Sequence, residues 1–151
     1  KTSVRTFEAA AFLRRCGADV TRVRKMFREH VEDYRAKGEA IRNAELFREH
    51  FAISVCPSEG LDSPTVVGAQ AANELLNIIG VKASFVLTDY RNTIYISARS
   101  IDEINVQIVM ERLGGGGHLN IAGAQLEHYS ITEAKDVLKQ TLQKMLDEGD
   151  I

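Results

Sequence analysis

The sequence predicts an α/β fold: a mixed sheet flanked by helices and preceded by a helical linker arm. Three observations predict it. Apolar residues in the first fifty positions, Val20, Val23, Phe27, Val31, Tyr34, Ile41, Ala44 and Phe47, recur at helical spacing. From Phe51 onward, short alternating runs rich in β-branched and aromatic residues take turns with segments of period near 3.6. Charge changes at the same place, since residues 1–50 hold 12 Lys or Arg against 8 Asp or Glu, and the remaining 101 hold 7 against 13. A basic arm thus leads into an acidic domain.

Element by element, Thr6 can cap a short helix ending near Gly17, and Asp19 can cap the next, whose stripe continues with a break or bend toward Phe47. Phe51–Cys56 alternates as a strand and is stopped by Pro57 and the turn-rich stretch to Asp62. Ser63 and Pro64 then supply a cap and a first-turn proline, and Val67, Ala71, Leu75 and Ile78 mark one helical face up to Gly80. Ala83–Thr88 and Thr93–Ser100 form a hairpin, with Ile94, Ile96 and Ala98 on one side and Tyr95, Ser97 and Arg99 on the other. Val106, Val109, Met110 and Leu113 mark a helix that ends in the run Gly114–Gly117 before His118. A short strand follows near Ala124–Glu127. Ser130-Ile-Thr-Glu133 is a capping box, and Ala134, Leu138, Leu142 and Met145 give the last helix its buried face.

Composition narrows the functions available. At 151 residues, 44% hydrophobic and 26% charged, the chain is about the size of one ordinary domain and can bury a core. A net charge of -2 is unlike that of proteins that coat DNA, which carry a large basic excess. No run approaches the roughly 20 apolar residues of a membrane span, and Lys1–Phe12 lacks the apolar core of a secretion signal. Cys16 and Cys56 show no metal-ligand spacing and fit a reducing, cytoplasmic setting.

The chemistry concentrates at the glycine run. One glycine satisfies a helix C-cap. Four consecutive ones, each costing about 0.5–1 kcal/mol in chain entropy against alanine, call for special dihedrals or for close backbone approach by another group. Unshielded amides there can gather on a phosphate, or the run can serve as a hinge. His118 beside it can donate to a phosphate oxygen or bond nearby backbone. Arg99, with Ser97 on its face and Ser100 next to it, can present a planar fork and hydroxyls to an anion, or form a surface ion pair. No P-loop, dinucleotide fingerprint or G-x-S-x-G elbow is present, and the four scattered histidines make no metal site. Neither cysteine has a neighbouring histidine, so nucleophilic catalysis has no visible support.

Ser97-Ala-Arg-Ser100, Ile104-Asn-Val-Gln107 and Leu113-Gly-Gly-Gly-Gly-His118, with Ala122-Gly123 behind them, resemble the DHH-associated C-terminal domain of DHH phosphoesterases. Together with Arg5-Thr-Phe-Glu-Ala9, they look most like the bacterial cyclic-di-AMP phosphodiesterases. The resemblance implies that residues 1–18 end a catalytic DHH domain, that 19–50 are a helical linker, and that 51–151 are the substrate-binding domain. It implies no catalytic or metal-binding residue in this chain, and two manganese ions in the catalytic domain that would precede it. Ser97, Arg99, Ser100, Asn105, Gly115, Gly116, Gly117 and His118 would hold a cyclic dinucleotide or short oligonucleotide. Ile121 departs from the family, which often has alanine there. The parent would be a cytoplasmic-facing hydrolase anchored at a membrane this chain does not touch, and a homodimer is compatible with the pattern. A nucleic-acid-binding module, or a hydrolase of oligonucleotides or nucleotide phosphates, is the competing expectation. Sparse aromatics, 7% with no tryptophan, argue against a stacking platform for long single strands.

Overall fold

A computed structural model describes residues 3–101 and 104–151. Contacts divide the chain into two units, Lys1–His30 and Val31–Ile151. In the first, helix α1 (Val4–Arg15) is capped by Ser3, whose hydroxyl accepts from the Thr6 amide, so the cap lies three residues earlier than the sequence indicates. Helix α2 (Val20–Met26) is capped by Asp19, as expected, at 2.8 Å from the Thr21 amide. Neither helix contains a buried residue.

The second unit holds a six-stranded sheet built from β1 (Glu45–Phe47), β2 (Phe51–Cys56), β3 (Ala83–Tyr90), β4 (Thr93–Ser100), β5 (Gly116–His118) and β6 (Ile121–Glu127). Their order is β1-β2-β3-β4-β6-β5, and the sheet is mixed because β2 and β3 alone run parallel. That pair needs a crossover, supplied by α4 (Pro64–Leu75), whereas antiparallel neighbours can be joined by tight turns. The β3–β4 turn is Arg91–Asn92, both at positive φ, the geometry that matches strand twist in a two-residue hairpin.

The helical stripe expected through Phe47 ends earlier. Helix α3 spans Val31–Arg42, and Glu45–Phe47 turns back as β1 to pair with Phe51–Ile53. Arg48 and Glu49 take up positive φ to make that turn, at 50° and 64°, without a glycine to announce it. The stretch 19–50 is therefore distributed, with α2 in the first unit and α3 and β1 in the second.

Two apolar layers sandwich the sheet. On one face Phe51, Ile53, Phe85, Leu87, Ile94 and Ile96 pack against α5 (Val106–Arg112) and α6 (Ile131–Glu148), whose Met110, Leu138, Leu142 and Met145 are fully buried. At about 1.5–3 kcal/mol per buried large side chain, this layer is the main source of stability. On the other face, α3 and α4 contribute Ala36, Ala40, Val67, Ala71 and Ala72. Their small residues let the helices sit close, and the Ser54 and Ser84 hydroxyls donate to the Ala40 and Ala72 carbonyls at 2.5 and 2.6 Å. This second layer covers β2 and β3, while His118, Ile121 and Gln125 on β5 and β6 remain exposed.

Candidate functional site

The uncovered part of that face carries the candidate site. Register sets it out as a grid of three rows. Ser97 lies opposite Gly123, which lies opposite Gly116. One row along, Arg99 and His118 both lie opposite Ile121; in the other direction Tyr95 lies opposite Gln125. Strands sit about 4.8 Å apart and same-face rows about 7 Å apart, so Arg99 and His118 stand roughly 10 Å from each other with Ile121 between them. Alternation along β4 delivers this: Ile94, Ile96, Ala98 and Ser100 are buried on the core side, and Tyr95, Ser97 and Arg99 are half-buried on the other.

A cavity of about 480 Å³ sits on the grid, lined by Tyr95 and Ser97 from β4, Gly123 and Gln125 from β6, the run Gly114–Gly116, and Thr65 from the first turn of α4. Its floor is main chain. Three of the four consecutive glycines answer to their own chain. Gly114 is left-handed, at φ 77°, and closes α5 as its amide bonds Glu111 while that of Gly115 bonds Met110. A Cβ on Gly115 would come within 2.6 Å of Ala124 Cα, and one on Gly117 within 2.5 Å of Ala122 Cα, so β6 can pass this closely only over glycine. Gly116 is different: a Cβ there would meet open space. The hinge alternative loses ground, since Gly116–His118 is a strand of the sheet.

Arg99 is held from two sides, its Nε donating to Asn73 Oδ1 at 3.1 Å and its Nη1 to the Ala98 carbonyl at 2.9 Å. Burial pulls its pKa below the usual guanidinium value. Asn73 belongs to α4, so the helix that leaves the face open also aims the guanidinium along its border. Ser97, Gly115 and Gly116 line the cavity; Arg99, Gly117 and His118 do not, Arg99 and His118 lying one row along from it and Gly117 pairing with Ala122. Ser100 and Asn105 lie elsewhere. Ser100 is buried on the core side, where Asn120 Nδ2 donates to its hydroxyl at 3.2 Å. Asn105 is the N-cap of α5, accepting from the Gln107 amide at 3.0 Å. Sequence reasoning did not name Gln125 or Thr65, and it met Gly123 only within the Ala122-Gly123 motif. The alternation of β4 pointed at Tyr95, but what lies opposite it depends on pairing between strands some thirty residues apart.

Among the described residues no group of three or more His, Cys, Asp or Glu could hold a metal ion. Cys56 is buried, and desolvation, with Glu39 adding to it, pushes its thiol up to about 11, far from a reactive thiolate. Among the described residues no helix is long and apolar enough to cross a membrane. What the site offers is binding chemistry: hydroxyl, carboxamide, guanidinium and imidazole groups round a glycine floor.

The DHHA1 domain pattern matches residues 50–145. Over 150 residues the chain is 39% identical to the cyclic-di-AMP phosphodiesterase GdpP of Geobacillus thermodenitrificans, covering 99% of this chain and 23% of that protein. It is 40% identical over 139 residues to the cyclic-di-AMP phosphodiesterase PdeA of Listeria monocytogenes, covering 91% of this chain and 21% of the relative. The chain thus spans less than a quarter of the length of either. An exopolyphosphatase-related protein from Bacteroides fragilis has a solved structure that superposes with a TM-score of 0.81 at 22% identity, over 95% of this chain and 44% of that one, a likeness of fold. With the pattern spanning the whole sheet from β2 onward and continuing through most of α6, the chain belongs to the DHHA1 domain family of DHH phosphoesterases, most like the bacterial cyclic-di-AMP phosphodiesterases.

Proposed function

We propose that this chain is the substrate-holding domain of a longer phosphodiesterase that opens cyclic-di-AMP to pApA, the reacting groups being supplied by a part of the protein outside it. The observation that carries this reading is the three-row grid. Arg99 and His118 border one end with groups that bind phosphate oxygens, and the glycine floor lets a flat or bulky ligand lie directly on main chain. The likeness to two cyclic-di-AMP phosphodiesterases supports the choice of substrate. The two manganese ions that the family resemblance implies would then be held outside these residues, and this chain's share is to bind and orient the phosphodiester.

Calorimetric titration of the chain with cyclic-di-AMP, pApA and a short RNA at two salt concentrations tests the reading. Weak dinucleotide binding that changes little with salt is expected, because few phosphates are engaged. Tighter binding of RNA that falls steeply with salt would instead identify a nucleic-acid module. With manganese added, the chain alone should release no pApA from cyclic-di-AMP; turnover would overthrow this division of labour.

A further inference from the structure

We infer that Tyr95 and Gln125 form a base-reading end of the groove that selects adenine over guanine; this rests on the dinucleotide reading above. The two residues are direct cross-strand partners and both line the cavity, at the end of the grid away from Arg99 and His118. Gln125 is exposed, and among the described residues neither its carboxamide nor the Tyr95 hydroxyl has a hydrogen-bond partner. The carboxamide is thus free to pair with a guest, and Tyr95 offers its ring. The Tyr95 ring is braced by Tyr90, with centroids 6.5 Å apart and planes at 51°, and the Arg91 guanidinium sits over Tyr90 at 4.9 Å. A braced ring loses little freedom when a base packs against it.

The carboxamide sets the choice of base. It offers one acceptor and one donor side by side. Adenine presents a matching donor and acceptor in its N6 amine and N7, whereas guanine presents two acceptors, O6 and N7, along the same edge. Guanine presented by that same edge would set the Gln125 oxygen against another acceptor and leave it unpaired. Rows about 7 Å apart place this contact within reach of a nucleotide whose phosphate lies toward Arg99.

Nuclear magnetic resonance titration of the 151-residue chain with pApA and with pGpG reads the ratio of the two affinities. The wild-type chain should favour pApA about tenfold, the discrimination typical of one bidentate base contact. Gln125→Leu should bring the ratio close to one, and Gln125→Glu, which can accept from the N6 amine but cannot donate to N7, should lower it too. Tyr95→Ala should weaken both ligands about tenfold with the ratio kept, and Tyr95→Phe should restore them. Retained amide dispersion in each variant checks the fold. Equal affinities in the wild-type chain, or a ratio unmoved by Gln125→Leu, would overturn base reading while leaving dinucleotide binding standing. If neither dinucleotide perturbs any resonance, the dinucleotide reading fails first and this inference with it.

Discussion

The four consecutive glycines illustrate how much a single Cβ decides. Gly115 admits the backbone of β6, so Gly115→Ala should cost about 1–3 kcal/mol, because the added methyl meets Gly123 O and Ala124 Cα, atoms that can move only with their strand. Gly116→Ala should leave stability within about 0.5 kcal/mol, since its Cβ enters open space at an ordinary φ. The same methyl projects into the cavity and should weaken dinucleotide binding. Denaturant unfolding of the two variants, with titration of the second, separates the structural glycine from the one whose bareness serves the ligand. Composition alone showed that the run was abnormal; it could not apportion the causes, because the atoms that forbid a Cβ at Gly115 belong to a strand eight residues further on.

Among the elements, α6 is the one most fully legible in sequence. The capping box is present in full: the Ser130 hydroxyl accepts from the Glu133 amide, and the Glu133 carboxylate accepts from the Ser130 amide at 2.8 Å. Ser130→Ala should therefore lower stability by about 1 kcal/mol. Three carboxyls at or against this helix lie below the ordinary glutamate range. Glu133 is held there by the Ser130 amide and hydroxyl, and Glu148 chiefly by Arg112, 2.7 Å away. For Glu45, partial burial pushes upward but the ammonium groups of Lys139 and Lys135, each 2.9 Å away, outweigh it. A depressed carboxyl adds stability that is complete above its unfolded value and is lost as pH falls through the folded one. Thermal midpoints should accordingly decline from about pH 5 to about pH 3, and the decline should be shallower in Ser130→Ala, where Glu133 has lost its hydroxyl partner. The three-residue strands were the illegible elements. β1 is too short for a period to register, and its turn relies on Arg48 and Glu49 in a conformation those residues rarely advertise. β5 is mostly glycine and has no alternation to read.

At the scale of the molecule, the layers explain where a ligand can go. The α5 and α6 layer packs against one whole face, from β2 to β6, while the α3 and α4 layer stops short of β6 and β5, and the groove is what remains. In the longer phosphodiesterase proposed here, Arg99→Ala and His118→Ala should each reduce turnover of cyclic-di-AMP at least tenfold while shifting the unfolding midpoint by no more than a few degrees, since neither side chain belongs to either apolar layer. Unchanged kinetics in both would remove them from the site. The order of the longer elements was readable because each signals itself locally, as β1 and β5 do not. The grid was not, because it exists only once β6 has inserted between β4 and β5.

Strand alternation gives this sheet two separate alphabets. Positions 94, 96 and 98 write the core and tolerate little editing, while 95, 97 and 99, with 123 and 125 across from them, write the surface a guest meets. Descendants of one ancestral sheet could therefore exchange one guest for another by rewriting the second alphabet alone, with the first left intact beneath it.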